Sequence, residues 1–74
     1  MYICALERLS GLVNYNVTVT ASGVVENFGV IRGDVIIENG GYFENCGTVD
    51  GDVIIENGGE FVNNDTVNGD IIYN

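Results

Sequence analysis

The fold is decided by residues 33–50, GDVIIENGGYFENCGTVD, which are followed without a gap by residues 51–68, GDVIIENGGEFVNNDTVN. A third copy opens at Gly69 and Asp70, and residues 15–32 match the same frame less closely. A fixed period of about 20 residues is typical of a solenoid, in which each repeat forms one coil stacked on the previous coil. The repeat therefore predicts the architecture before local propensities are considered.

Each 18-residue unit divides into three hexapeptides with shared apolar positions. The third and fifth positions lie two residues apart, so they face the same side of a strand. The first two positions are rich in Asn and Gly, which tolerate the left-handed backbone of a sharp corner. We therefore expect an all-β, single-domain triangular parallel β-helix (β-solenoid) with 18 residues per turn and about four turns. The inward fifth positions are Val19, Val25, Ile31, Ile37, Phe43, Val49, Ile55, Phe61, Val67 and Tyr73.

The exact repeat predicts which side chains stack. Each strand should pair in parallel with the strand one coil away, about 4.8 Å above it. A one-residue insertion would turn a strand's apolar side chains outward, and the frame from Tyr15 onward contains none. The predicted stacked pairs are Ile37 over Ile55, Phe43 over Phe61, and Val49 over Val67.

The first eight residues depart from the repeat. Apolar residues recur at helix-like spacing at Ile3, Leu6 and Leu9, and Ser10 and Gly11 form a stop signal. In the solenoid frame Glu7 would point inward, which is costly without a partner. We therefore expect a short N-terminal cap or docking segment over residues 1–8 and the β-solenoid over residues 9–74. The segment would either cover the end of the core or act as an arm that packs on a neighbouring subunit.

Composition limits the partners. Arg8 and Arg32 are the only Lys or Arg residues, and the net charge of −9 argues against nucleic acid and anionic membrane surfaces. No apolar run reaches the length that spans a bilayer, and no basic patch precedes the apolar N-terminus as in a secretory signal, which favours a cytoplasmic or unprocessed protein. Cys4 and Cys46 have unrelated spacing and no accompanying His, so we expect unpaired thiols and no cofactor; a disulfide would require secretion.

The remaining positions repeat as columns that we place on the outside. The Asp column is either solvated charge or a place for cations, because hard divalent ions take carboxylate oxygens. Stacked Asn side chains can bond to one another along the axis. Ile36, Ile54 and Ile72 form an apolar stripe, which indicates either a lateral contact or simple β propensity. The polar columns are Asp34, Asp52 and Asp70; Glu38 and Glu56; Asn27, Asn45 and Asn63; and Asn39 with Asn57, while Arg32 lies one turn from Asp50.

No residue pattern supports catalysis. Carboxylates are so plentiful that any two resemble a glycosidase pair, and no pair is distinguished from the others. Hexapeptide solenoids that are acyltransferases generally need a histidine, and this sequence has none. We therefore expect a protein that is not an enzyme and has no small-molecule substrate.

Two segments resemble the repeats of bactofilins, bacterial polymer-forming proteins with a small triangular right-handed β-helix. These are Gly47–Val53, GTVDGDV, and its echo Asp65–Ile71, DTVNGDI, and the likeness extends over Tyr15–Asn74. The resemblance implies end-to-end polymerisation without nucleotide and carries no catalytic residues. The hexapeptides, such as Val53 to Glu56, also resemble those of left-handed β-helices, so the sequence leaves the hand open.

The leading functional hypothesis is a structural protein whose subunits stack end to end into a filament and have one another as partners. Small solenoids expose unpaired strand edges at their ends unless these are capped. The expected self-association residues are Leu9, Val13, Val17, Val19, Ile71, Ile72 and Tyr73, with lateral contacts at Ile36 and Ile54.

The alternative hypothesis is a binding module of a surface or phage-type adhesin that contacts glycans through Phe28, Tyr42 and the acidic columns. An ice- or mineral-binding surface would need flat Thr columns. Only Thr48 and Thr66 align in this way, so this third interpretation has little support.

Overall fold

The computed structural model describes all 74 residues. Every regular element is a β-strand, and no helix is present that is long and apolar enough to span a membrane. The strands in chain order are β1 (Tyr2–Ile3), β2 (Leu6–Leu9), β3 (Leu12–Val13), β4 (Val17–Val19), β5 (Val24–Asn27), β6 (Val30–Ile31), β7 (Val35–Ile37), β8 (Tyr42–Asn45), β9 (Thr48–Val49), β10 (Val53–Ile55), β11 (Glu60–Asn63), β12 (Thr66–Val67) and β13 (Ile71–Tyr73).

The strands form three parallel sheets, and each strand pairs with strands three positions away in the chain. Sheet A has the order β1-β4-β7-β10-β13, sheet B has β2-β5-β8-β11, and sheet C has β3-β6-β9-β12. The chain visits the three sheets in turn and then returns to the first one coil further along. This is a three-sided parallel solenoid of just over four coils, which confirms the predicted fold class.

The core lies between the three sheets and is built from stacked equivalents. The predicted pairs are confirmed: Ile37 is opposite Ile55, Phe43 opposite Phe61, and Val49 opposite Val67. The rings of Phe43 and Phe61 stack with centroids 5.9 Å apart and planes inclined by 11°. The buried apolar core comprises Ile3, Val13, Val17, Val19, Val25, Ile31, Val35, Ile37, Phe43, Val49, Val53 and Ile55.

The first eight residues are not helical, so the helix-like spacing was misleading. β1 pairs with β4, and β2 pairs with β5 and runs through the predicted boundary at residue 8. Strand pairing overrides the local spacing because it satisfies the backbone N–H and C=O groups along the edges of β4 and β5. It also adds Ile3 to the core. The role of cap or docking segment stays a prediction.

The first corner between sheets A and B is shorter than the later corners between these two sheets. Tyr2 pairs with Thr18, 16 residues further on, whereas Leu6 pairs with Val24, 18 residues further on. Two residues therefore separate β1 from β2, where four separate β4 from β5. Glu7 is in register with Val25 and so occupies an inward column, as its frame predicts, but it is exposed because no coil covers it.

The corners between sheets A and B require a left-handed backbone. Gly40 and Gly58 have φ of 85° and 89°, and the equivalent position in the preceding coil is Ser22, with φ of 70°. This conformation costs an L-residue about 1–2 kcal/mol, because its Cβ approaches the following carbonyl oxygen. Ser22 is the only non-glycine residue with positive φ in the chain.

We predict that Ser22→Gly raises the free energy of unfolding by about 0.5 kcal/mol. The relief of left-handed strain exceeds the additional entropy that glycine has in the unfolded chain. Urea denaturation followed by circular dichroism measures the change. Ser22→Ala is the control, because alanine keeps the strain and should give no gain. A loss of stability in Ser22→Gly would contradict this explanation of the corner.

Candidate functional site: polar ladders and open ends

A polar ladder runs along the corner between sheets C and A. The backbone N–H of Asp34 donates to Asn16 Oδ1, that of Asp52 to Asp34 Oδ1, and that of Asp70 to Asp52 Oδ1, each at 2.8 Å. Each side chain thus accepts the N–H of its equivalent one coil later. The Asp column has a structural role that the sequence analysis missed, because the pattern does not show which backbone groups a corner leaves unpaired. No cluster of three or more metal-ligating side chains is formed.

A second ladder lies inside the solenoid, between sheets B and C. Asn27 Nδ2 donates to Asn45 Oδ1 at 3.0 Å, and Asn45 Nδ2 donates to Asn63 Oδ1 at 3.1 Å. Asn27 and Asn45 are fully buried, so the prediction that this column lies on the outside was wrong. The four-residue strands of sheet B carry two inward positions, and the second is this Asn.

The buried amides also satisfy the backbone of the corner. Asn45 Oδ1 accepts the N–H of Gly47 at 3.3 Å, and its Nδ2 donates to the carbonyl of Thr66 at 2.9 Å. No buried side-chain nitrogen or oxygen is left without a partner. At the C-terminal end, Asn63 is exposed and its Nδ2 has no equivalent above it.

The outward columns consist of residues that are register partners on neighbouring strands. The stripe of Ile36, Ile54 and Ile72 lies in register on sheet A, and Thr18 and Tyr2 continue it. Arg32 Nε lies 3.4 Å from Asp50 Oδ2, as its column predicts. Arg8 Nε donates to Glu26 Oε1 at 2.7 Å, a pair that becomes visible only once residues 1–8 are placed in the ladder. Such exposed pairs contribute about 0–1 kcal/mol each.

The two aromatic residues suggested for glycan contact do not form one patch. Phe28 is 55% exposed and follows the end of β5, whereas Tyr42 is half-buried and begins β8. They therefore lie at opposite ends of the sheet B strands, about 13 Å apart along the strand direction. Desolvation and the neighbouring carboxylates Glu44, Glu60 and Glu26 raise the pKa of Tyr42.

The C-terminal end exposes the interior of the last coil. Phe61 and Val67 are only partly covered, Ile71 and Ile72 are exposed, and Tyr73 is 69% exposed. β13 is an edge strand of sheet A. An apolar edge of this kind is a template for another strand.

The N-terminal end is also open. A cavity of about 330 Å³ is lined by Met1, Tyr2, Ile3, Cys4, Ala5, Glu7 and Leu9. Of the predicted self-association residues at this end, Leu9 is half-buried and Val13 is buried. Val17 and Val19 are fully buried, because β1 covers the edge of β4. Cys4 and Cys46 are both free thiols.

The two ends differ in charge. The last coil, residues 59–74, carries Glu60, Asp65 and Asp70 without any Lys or Arg, whereas residues 1–16 carry one acidic and one basic side chain, Glu7 and Arg8. Contact between two C-terminal ends would therefore bring like charges together, and contact between unlike ends would not.

Comparison with known proteins adds no family assignment. No protein-family model, curated protein or solved structure matches the chain. The likeness of residues 47–53 and 65–71 to bactofilin repeats is thus a likeness of β-helix repeats, and the parallel solenoid itself is what the structure shows.

We predict that Asn45→Ala lowers the free energy of unfolding by about 3 kcal/mol, because it leaves buried partners on two neighbouring coils without hydrogen bonds. The matched control is Asn57→Ala, since Asn57 is exposed in a corner and should change stability by less than about 0.5 kcal/mol. Urea unfolding of both variants makes the comparison. Equal effects would show that the inner ladder contributes no special stability.

Proposed function

We propose that this protein is a structural, self-assembling protein whose β-solenoid subunits stack end to end into a filament. The observation that supports it most is the C-terminal end, where Phe61, Val67, Ile71 and Tyr73 continue the core columns toward solvent beside an unpaired strand edge. A second copy would cover these side chains and extend the sheets. Full burial of one large apolar side chain contributes about 1.5–3 kcal/mol.

The polarity that the charges favour is head to tail. In that arrangement the acidic last coil of one copy meets the nearly neutral first coil of the next. The strands across the joint then run parallel, as they do throughout the molecule. The net charge of −9 still opposes association, and 0.1 M salt screens this repulsion at separations beyond about 10 Å.

Glu7 is the main obstacle within the joint. It shares the inward column of Val25, Phe43 and Phe61, so a neighbour stacked in frame would place Phe61 against it. Burial of an unpaired carboxylate is costly, and this cost would limit the strength of the joint.

The proposal is tested by electron microscopy and sedimentation of the purified chain across a salt series. We expect filaments whose amount rises with salt and with divalent ions, because both reduce repulsion between the acidic subunits. Monodisperse monomers at high protein concentration and moderate salt would overturn the proposal.

The variants Tyr73→Asp and Phe28→Asp distinguish contacts at the joint between two copies from contacts along the sides of the solenoid. Each replaces an exposed aromatic residue by a carboxylate, but Tyr73 lies at the C-terminal end and Phe28 beside the second coil. We expect Tyr73→Asp to prevent assembly and Phe28→Asp to assemble like the parent protein. Loss of assembly in both variants would indicate a general charge effect instead of a joint at Tyr73.

We predict that Glu7→Gln lowers the protein concentration needed for assembly by about tenfold, since it removes the charge that the joint must bury. Glu38→Gln changes the net charge equally at a partly exposed position on a middle coil and should change this concentration less than about twofold. Light scattering against protein concentration measures both. Identical behaviour of the two variants would place Glu7 outside the contact.

The alternative, a binding module that contacts glycans, has one observation in its favour. Phe28 is a large aromatic side chain, 55% exposed, on the side of the solenoid. Under this alternative the protein is a monomer or closed oligomer that binds a glycan array, and Phe28→Asp abolishes the binding. The same variant therefore discriminates between the two functions.

A further inference from the structure

β1 covers the edge of sheet A where the first coil begins. Its two residues, Tyr2 and Ile3, pair with Thr18 and Val19 of β4. The Met1 amine donates to the Asn16 carbonyl at 3.0 Å, and the Thr18 N–H donates to the Met1 carbonyl at 2.7 Å. β1 therefore occupies hydrogen-bonding groups of β4 that face away from β7.

The bonds on this edge are those that a sheet A strand makes with the coil before it. In the regular coils, the residue that follows a sheet A strand donates its N–H to the carbonyl of the last residue of the sheet A strand one coil earlier. Glu38 donates to Val19 in this way and Glu56 to Ile37, both at 2.9 Å. Thr20 donates to Ile3 in the same way, also at 2.9 Å. Ile3 thus stands, relative to β4, where Tyr73 of a preceding coil would stand.

Residues 1–3 consequently take the place that residues 71–73 of another copy would fill. In an in-frame head-to-tail stack, β2 follows above β11, β3 above β12 and β4 above β13, so β1 and the neighbour's β13 coincide. The two strands cannot both be present in one position. A regular joint therefore requires that either β1 or the neighbour's β13 is displaced.

Of the two strands, β1 makes the shorter and less regular pairing. It pairs over two residues with the irregular offset of 16, and Tyr2 is 80% exposed. β13 pairs over three residues with the regular offset of 18. The Asp ladder also ends at Asp70, and the next group in its frame is the N–H of Asn16 of a following copy. A second β13 thus offers a longer strand and one further ladder bond.

We infer that the edge of β4 is a binding site for β13 of a second copy, and that β1 is displaced when it binds. This inference rests on the proposed filament and specifies its joint: Ile71 to Tyr73 of one copy against Val17 to Val19 of the next. In the isolated chain β1 shields the site, so Val17 and Val19 are buried until exchange occurs.

The test locks β1 onto β4 in the full chain. In a background of Cys4→Ser and Cys46→Ser, the pair Tyr2→Cys and Thr18→Cys places cysteines on register partners. Neighbouring strands lie about 4.8 Å apart, a Cα separation that a disulfide spans. The matched control carries Val30→Cys and Thr48→Cys, which are partners on β6 and β9 away from both ends. Sedimentation and electron microscopy compare each protein with and without a reductant.

We expect oxidation to lower the assembled fraction of the β1-locked protein by about tenfold or more, and reduction to restore it. Oxidation of the control lock should leave its assembly unchanged. Equal assembly of the oxidised and reduced β1-locked protein would overturn strand exchange while leaving the filament in place. Equal inhibition of both locked proteins would also overturn it. If the background protein forms no filament at any salt concentration, the proposed function fails together with the inference.

Discussion

The constraint on which this structure depends is that chemically equivalent residues lie directly above one another, one coil apart. Parallel ladders impose it, because each strand bonds to the strand 18 residues away along the regular coils. The same stacking produces the paired rings of Phe43 and Phe61 and the amide ladder of Asn27, Asn45 and Asn63. The closely stacked corners obey it too: a Cβ on Gly47 would overlap the carbonyl oxygen of Gly29 in the preceding coil.

Nothing within the repeat itself limits the number of coils that can stack. Each coil presents to the next the same strand edges and core columns that it received from the coil before. The ends are therefore where the chain departs from its own rule: a short irregular strand and an inward carboxylate at one end, exposed apolar columns with acidic neighbours at the other. The proposed assembly and its restraint would both follow from this stacking, acting at the ends instead of in the interior.

The polar ladders give the solenoid a direction. Asn side chains donate toward later coils, and Asn16, Asp34 and Asp52 accept the N–H of later coils, so the two ends are chemically distinct. Apolar columns alone would pack with either end of a second copy, since dispersion and burial are not directional. Hydrogen-bond ladders are directional and favour a neighbour that continues the same winding.

The sequence by itself determined the solenoid, its period and most of its core, because an exact 18-residue repeat allows only one register and period-two alternation shows which side of a strand is apolar. Tertiary structure decided what happens at corners and at the ends. Near a corner, tertiary structure sets where each strand ends: the sheet B strands continue to Asn27 and Asn45, two residues after the inward Val25 and Phe43, so both amides are buried. Residues 1–8 have helix-like spacing, yet they form strands because the unpaired edges of β4 and β5, which no local pattern reveals, bind them.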